Sequence, residues 1–193
     1  KTLFTGDGPY IVNGNVNIVA SAATGYSAGY TAEISAITAK IASVIGTVTI
    51  TTAAADATAL DISNMAYIDG ALSISGKMPS GFAVTTCASL ALAVEEADIS
   101  LPTLSSAAGG VAITAGTTTI TNVAITNLTN GAVTTAANTL SLANADVNLG
   151  SGDPAATTTV KSLNAGGATS TYEGSITASE AVTLGSKVVT NTV

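Results

Sequence analysis

The segment 62–74, with the sequence ISNMAYIDGALSI, contains the pattern that decides the fold of this chain. Within it, a motif of the form Gly-x-Val/Leu-x-Ile begins at Gly70, five positions after an apolar residue. Copies of the unit begin at Ile41, Met65 and Leu104, and a looser copy begins at Leu128. The interval from Met65 to Leu104 is longer than the other two, so it has room for one degraded copy, around residues 84–92. Such repeats are typical of stacked coils, because one coil is too small to bury its apolar face alone.

Apolar and small polar residues alternate in many short runs, such as Val16-Asn17-Ile18. Alternation of period two is typical of β-strands with one buried face, and the Gly, Asn, Asp and Ser residues between the runs favour turns. A second set of such runs lies at residues 60–63, 98–101, 123–126 and 146–149. The sequence therefore predicts an all-β, single-domain fold, a parallel β-solenoid (β-helix) with coils of about 20–25 residues.

We divide the chain into an N-terminal arm with the first strands (1–30), the repeats (31–150) and C-terminal strands (151–193). Residues 31–45 allow two interpretations. Four apolar residues there have the spacing of an amphipathic helix: Ile34, Ile37, Ile41 and Val44. The same residues fit the lead-in to a repeat, and the downstream repeats show no helical pattern. We therefore favour a strand-and-turn coil over a capping helix in this segment.

Stacked coils place equivalent positions above one another, so their Val, Ile and Leu side chains form continuous internal rows. We expect five side chains to be buried in these rows: Ile74, Val111, Ile113, Ile125 and Val133. Three others should point outward: Ser73, Thr119 and Thr126. Cys87 is the single cysteine, which is typical of a small buried apolar residue.

The composition excludes several classes of protein. The 193 residues carry a net charge of −7 and include no His. Nucleic acid needs cationic contacts to its phosphates, which an acidic chain does not provide. Ser, Thr, Gly and Asn interrupt every apolar stretch before the roughly 20 residues needed to span a bilayer. Without His, the usual catalytic triads and zinc sites are excluded, so we predict no enzyme, no cofactor and no metal ion.

The repeat resembles the leucine-rich-repeat-like β-helix of receptor L domains and of bacterial surface proteins with similar repeats. Those units have an apolar residue, two spacers, a second apolar residue and then Ile-x-Gly-x-Leu-x-Ile, and segment 62–74 is the best match. The resemblance extends over residues 34–150 and implies a parallel β-solenoid. The chain also begins at Lys1, without an initiator Met, as expected of a processed product, so we predict an extracellular or cell-surface location.

Both ends of a solenoid expose unpaired strands, which favours head-to-tail association unless the ends are capped. We therefore predict a structural or adhesive protein whose partner is another copy of itself, in a filament or surface layer. Segment 1–19 would add to the edge of the next subunit. The contacting side chains would be Phe4, Ile11, Val12 and Ile18 at one end and Val188 and Val189 at the other. The alternative is that segment 1–19 folds back and caps its own solenoid.

Two other functions rest on polar side chains. A flat face of threonine hydroxyl and methyl groups would suit an ice surface, and its members would be Thr117, Thr119 and Thr121. A carbohydrate-binding or carbohydrate-cleaving module would use Tyr26, Tyr30, Glu96 and Asp98. Strand alternation would place the two acids on one face of a strand, as paired carboxylates require.

Overall fold

A computed structural model of the chain describes residues 6–20, 28–53, 59–115, 120, 122–125 and 127–128. Beyond these it describes the strand segments 133–135, 139–141, 148–149, 157–160, 162–165, 170–172, 175–178, 182–184 and 188–190. The described residues form mostly strands, with one helix, and every strand pairing is parallel. The all-β prediction is confirmed at this level.

The elements follow one another in this order: β1 (Tyr10–Asn13), β2 (Val16–Ala20), α1 (Ala28–Thr38), β3 (Ile41–Ile45), β4 (Val48–Thr52), β5 (Tyr67–Ile68), β6 (Ala71–Gly76), β7 (Thr86–Cys87), β8 (Ser89–Val94), β9 (Asp98–Ser100), β10 (Ser106–Ala107), β11 (Val111–Ala115), β12 (Asn122–Ala124), β13 (Val133–Thr135), β14 (Thr139–Ser141), β15 (Asn148–Leu149), β16 (Thr157–Val160), β17 (Ser162–Ala165), β18 (Ser170–Tyr172), β19 (Ser175–Ala178), β20 (Val182–Leu184) and β21 (Val188–Thr190).

The strands belong to open parallel sheets that the chain visits in turn. The first sheet has the order β1-β3-β5-β7-β10, the second β2-β4-β6-β8-β11-β13 and the third β9-β12-β14-β17-β20. Near the C-terminus, β15-β18-β21 and β16-β19 form two smaller sheets. Strands β7, β8 and β9 lie in the first, second and third sheets, in that order. Strands β10, β11 and β12 repeat the same order.

The second sheet keeps one register across its strands. Val48 pairs with Leu72, Leu72 with Leu90, Leu90 with Val111, and Val111 with Val133. The predicted degraded copy is confirmed, because β8 lies in the long interval between β6 and β11 and pairs with both of them. The pattern is weak there because Ala88 stands at the position of the motif glycine, two residues before Leu90.

The core consists of the inward side chains of these strands. All five side chains predicted to be buried are 2% exposed or less, and Ser73 lies on the outer face between buried Leu72 and Ile74. Thr119 and Thr126 lie outside the described residues. Full burial of an aliphatic side chain stabilises the fold by about 1.5–3 kcal/mol relative to exposure. The continuous rows of Val, Ile and Leu are therefore the main source of stability.

Glycines turn the chain between the first and second sheets. Gly46, Gly70 and Gly109 each lie at a corner, the short turn between a strand of the first sheet and the next strand of the second sheet. Each packs on the main chain of an earlier corner. A Cβ atom on Gly46 would lie 2.7 Å from the Gly14 carbonyl oxygen, and one on Gly70 would lie 2.6 Å from the Gly46 oxygen. Real Cβ atoms essentially never approach so closely. At Gly46 and Gly70, glycine is therefore required by the close approach of the preceding corner, whereas Ala88 occupies the equivalent position two residues before Leu90.

Residues 28–38 form a helix, so the strand-and-turn interpretation of residues 31–45 is wrong for its first part. Strand structure begins only at Ile41, where β3 starts. The helix lies beside Asp61. The Asp61 N–H and C=O point away from Ser80, and no described strand pairs with them on that side. Ser35 Oγ accepts the Asp61 N–H at 2.8 Å, and the Thr38 hydroxyl donates to the Asp61 carbonyl at 2.5 Å. Two helical side chains therefore satisfy the groups that a strand would have paired.

The second set of runs meets the sequence expectation only in part. Residues 98–100 and 122–124 form β9 and β12, which pair in the third sheet, and Asp61 forms a parallel bridge with Ser80. Residues 148–149 form β15, which instead pairs with β18 in a smaller sheet. The run at 146–149 is therefore not a continuation of the third sheet.

Replacing Thr38 by valine should destabilise the protein by about 1–3 kcal/mol, because the Asp61 carbonyl loses its hydroxyl donor while the side-chain shape is kept. Thr38 is 2% exposed, so water does not replace the lost donor. Thr49→Val is the matched control, since Thr49 is exposed on β4 and should change stability by less than about 0.5 kcal/mol. Urea unfolding of the two variants tests this. Equal stability of Thr38→Val and wild type would show that the hydrogen bond from Thr38 to Asp61 contributes nothing.

Candidate interaction surfaces

The outer edge of β1 and β2 is the first candidate surface. These are the outermost strands of the first and second sheets among the described residues. The N–H groups of Tyr10, Gly14 and Val16 bond to the neighbouring segment around β3 and β4 at 2.7, 2.9 and 2.8 Å. Alternate residues of a strand direct their main-chain groups to opposite sides. Asn13 and Asn17 therefore direct their N–H and C=O groups toward the outer edge.

The corner at Gly14 differs from the corners that follow it. A Cβ atom on Gly14 would meet no atom within 4 Å, whereas one on Gly46 would collide with the Gly14 main chain. Gly14 nevertheless has the same positive φ class, +128° against +151° at Gly46. The Gly14 corner therefore has room for the main chain of another corner on its outer side, as Gly46 has for the main chain of Gly14. None of the described residues occupies that space.

The structure separates the residues predicted for assembly. Ile18 is buried and Val12 packs against the chain's own core, whereas Ile11 is 71% exposed. Phe4 lies outside the described residues, and Val188 and Val189 are placed only as part of β21. Segment 10–20 thus pairs with β3 and β4 of its own chain. Only Ile11 of the described set is free to meet a partner with most of its side chain.

The outer face of the second sheet is a second candidate surface. Its outward side chains form two rows across the paired strands: Asn17, Thr49, Ser73, Ala91 and Ala112 in one, and Val19, Thr51, Ser75, Ala93 and Thr114 in the other. All are small and uncharged. Strands in a sheet are about 4.8 Å apart, so each row repeats with that spacing. The predicted Thr117, Thr119 and Thr121 lie outside the described residues.

Of the four residues predicted for carbohydrate binding, the structure describes the side chains of Glu96 and Asp98 only. Asp98 is exposed at the start of β9, and Glu96 precedes that strand, so the two do not share a strand face. Glu96 Oε1 accepts the Met78 N–H at 2.8 Å, and its Oε2 is buried without a partner among the described residues. Tyr26 and the side chain of Tyr30 lie outside the described part. Carbohydrate binding at these residues stays a prediction.

Sequence reasoning missed an exposed apolar patch on the first sheet. Ile11, Ile45 and Tyr67 lie on three neighbouring strands and are 71%, 48% and 44% exposed. The Tyr67 hydroxyl donates to Asp69 Oδ1 at 3.0 Å, and this bond, with the negative charge of Asp69, raises the pKa of Tyr67. The sequence predicted Ile11 as an assembly contact, and period-two alternation could have placed Ile45 and Tyr67 outward as well.

Cys87 is buried, as the sequence predicted, and burial raises the pKa of its thiol to about 11. Burial favours the neutral thiol, so the folded protein holds this proton more tightly than the unfolded chain. The resulting contribution to the free energy of unfolding is complete below the unfolded pKa, near 9, and is lost as the pH rises toward 11. We expect Ellman's reagent at pH 8 to modify Cys87 no faster than the protein unfolds. Rapid labelling of the native protein, with a rate that does not respond to urea, would contradict burial of the thiol.

No helix in the described part is long and apolar enough to cross a membrane. The described residues include no cluster of three or more His, Cys, Asp or Glu side chains that could hold a metal ion. Comparison of the chain with protein-family models, with curated proteins and with solved structures finds no match.

Proposed function

We propose that the chain is a parallel β-solenoid that serves as an extracellular structural or adhesive subunit and associates with copies of itself in a filament or surface layer. The observation that carries the proposal is the second sheet, in which six parallel strands keep one register. A stack built by repeating one step can be extended by the same step. The resemblance of segment 62–74 to solenoid repeats of surface proteins adds to this argument.

The return of the chain to the first, second and third sheets in the same order supports a solenoid path. The differing spacings along the second sheet also agree with it, because a solenoid keeps its strands aligned while the links between them vary in length. In this view α1 occupies the third side of the first coil, where later coils have a strand. The helix would therefore close one side of the N-terminal end, and on the other two sides no described strand covers the outer edges of β1 and β2.

Self-association is tested by light scattering coupled to size exclusion, over a range of protein concentrations, and by electron microscopy of the concentrated sample. We expect the mean mass to rise with concentration and elongated particles to appear. Particles that are strictly monomeric at the highest concentration would overturn the self-association part of the proposal. Binding of the monomer to cell surfaces would then be the test of the adhesive role.

Ice binding is the second candidate, favoured by the two rows of small, uncharged side chains on the second sheet. A regular face without charges can order water in a repeating pattern, whereas one bulky side chain would interrupt it. If the face binds ice, Thr49→Tyr and Ala91→Tyr should abolish thermal hysteresis. Ala36→Tyr, on the exposed side of α1, should retain it. Absence of thermal hysteresis in the wild-type protein would end this candidate.

A further inference from the structure

We infer that the N-terminal edge formed by β1, the Gly14 corner and β2 is the docking site for a second copy of this chain, which adds two parallel strands joined by a corner. This inference rests on the proposed self-association and specifies its surface. Three observations carry it: the outward main-chain groups of β1 and β2, the Gly14 position that no described residue fills, and the hydrogen bonds of α1 to Asp61.

The main-chain groups define the kind of partner. β1 and β2 belong to two different sheets and are separated only by Gly14 and Asn15. A single extended peptide could pair with one of the two edges but not with both, because the chain turns between them. A partner that pairs with both must supply two strands with a corner between them. Repeats of this chain have that form at Gly46 and Gly70.

The Gly14 corner defines the depth of the contact. At Gly46 and Gly70, the main chain of the preceding corner lies 2.6–2.7 Å from the position of a Cβ atom, so neighbouring corners are in direct contact. Gly14 offers the same surface, and no atom of the described residues lies within 4 Å of the position of its Cβ atom. A corner main chain from another copy fits this position, whereas a corner that placed a side chain against it would not.

Polarity and the helix define the orientation. All described pairings are parallel, so a copy related by translation along the stack presents strands of the correct direction, and a copy related by a two-fold axis does not. The contact is therefore head-to-tail, with the end that carries β19, β20 and β21 facing the N-terminal edge of the next copy. Because Ser35 and Thr38 of α1 already bond the Asp61 main chain, we expect the pairing to involve the edges of β1 and β2 only.

The edge is tested with Asn17→Pro. Proline removes an N–H that points away from β4, and proline on such an edge strand blocks further pairing while the strand is kept. Asn17→Ala is the matched control, because it changes the side chain and keeps the N–H. We expect Asn17→Pro to raise the concentration needed for assembly by at least about tenfold, as loss of a main-chain hydrogen bond would, with Asn17→Ala assembling like wild type.

Mixing supplies a second readout. Asn17→Pro keeps its opposite end, so it should add to a growing wild-type assembly and stop further growth. We expect small fractions of this variant to shorten wild-type assemblies. If Asn17→Pro does not fold, Val19→Lys takes its place, since Val19 is a partly exposed β2 residue on which lysine would oppose edge pairing. Melting curves establish that each variant is folded.

The outcomes separate the two proposals. Assembly of wild type that is unaffected by the folded edge variants overturns the docking site and leaves self-association standing, through another surface. Absence of wild-type assembly overturns both. If Asn17→Ala loses assembly to the same extent as Asn17→Pro, the Asn17 side chain makes the contact and the main-chain edge does not. That result would also overturn the inference.

Discussion

Replacing Gly76 by alanine is expected to destabilise the protein by at least about 3 kcal/mol. The cost has two sources. Gly76 has φ of +90°, a conformation that residues with a side chain rarely adopt. A Cβ atom there would also lie 1.8 Å from the Thr52 carbonyl oxygen, so the main chain of β4 would have to move. That movement would disturb the buried Thr52 hydroxyl, which accepts the Lys77 N–H at 2.6 Å.

Gly14→Ala is the matched control for this variant. It has the same kind of positive φ but no atom within 4 Å of the new methyl group, so it should lose only the conformational share, about 1–2 kcal/mol. Urea unfolding of the two variants gives the difference. Equal losses would mean that the collision with Thr52 is relieved without cost and that the close packing of these strands contributes little.

Replacing Ile113 by aspartate is expected to cost about 4 kcal/mol or more, because an unpaired charge would enter the core. Ile113 is 1% exposed, and its strand neighbours in register are Leu92 of β8 and Thr135 of β13. The preceding residue, Ala112, points outward on the same strand, and Ala112→Asp should cost less than about 1 kcal/mol. Circular dichroism melting curves compare the two variants. A wild-type melting temperature for Ile113→Asp would contradict the register of β11.

The sequence pattern predicted burial well and sheet membership less well. Alternation is a local property, so Ile74 and Val111 could be placed inside from their immediate neighbours alone. Which sheet a strand joins depends on the length and path of the link before it. Residues 146–149 alternate like the strands of the third sheet, yet β15 pairs elsewhere. The residues of such a run therefore do not determine which sheet the strand joins.

Two features escaped the sequence argument for different physical reasons. The first feature is a further copy of the repeat motif, which begins at Gly14 and whose strand β2 pairs with β4 in full register. Its distance along the chain from the next copy differs from the other repeat intervals, because α1 lies between β2 and β3. The second feature is the helix α1, for which the sequence pattern offers only the spacing of its apolar residues. Its decisive residues are polar, Ser35 and Thr38, and their role depends on contact with Asp61, which is distant in sequence.

The candidate surfaces could be predicted only where they depend on the main chain. The exposed edge follows from any stack of parallel strands, whereas the patch of Ile11, Ile45 and Tyr67 depends on how three strands align. An Ile in an alternating run is assigned to the core by its character alone. Ile11 and Ile45 are exceptions to this rule, since both are exposed.

The pairing order along the second sheet has a consequence for the folding kinetics. Each strand pairs with the strand that next returns to the same sheet along the chain, so closing any one pairing orders only a short length of chain. Ordering should then spread from strand to strand, and loss of order should begin at an edge rather than everywhere at once. Amide hydrogen exchange would record this as a gradient, with β6 and β8 exchanging more slowly than β2. A molecule of this kind resists local damage by opening one strand at a time while the rest of the stack persists.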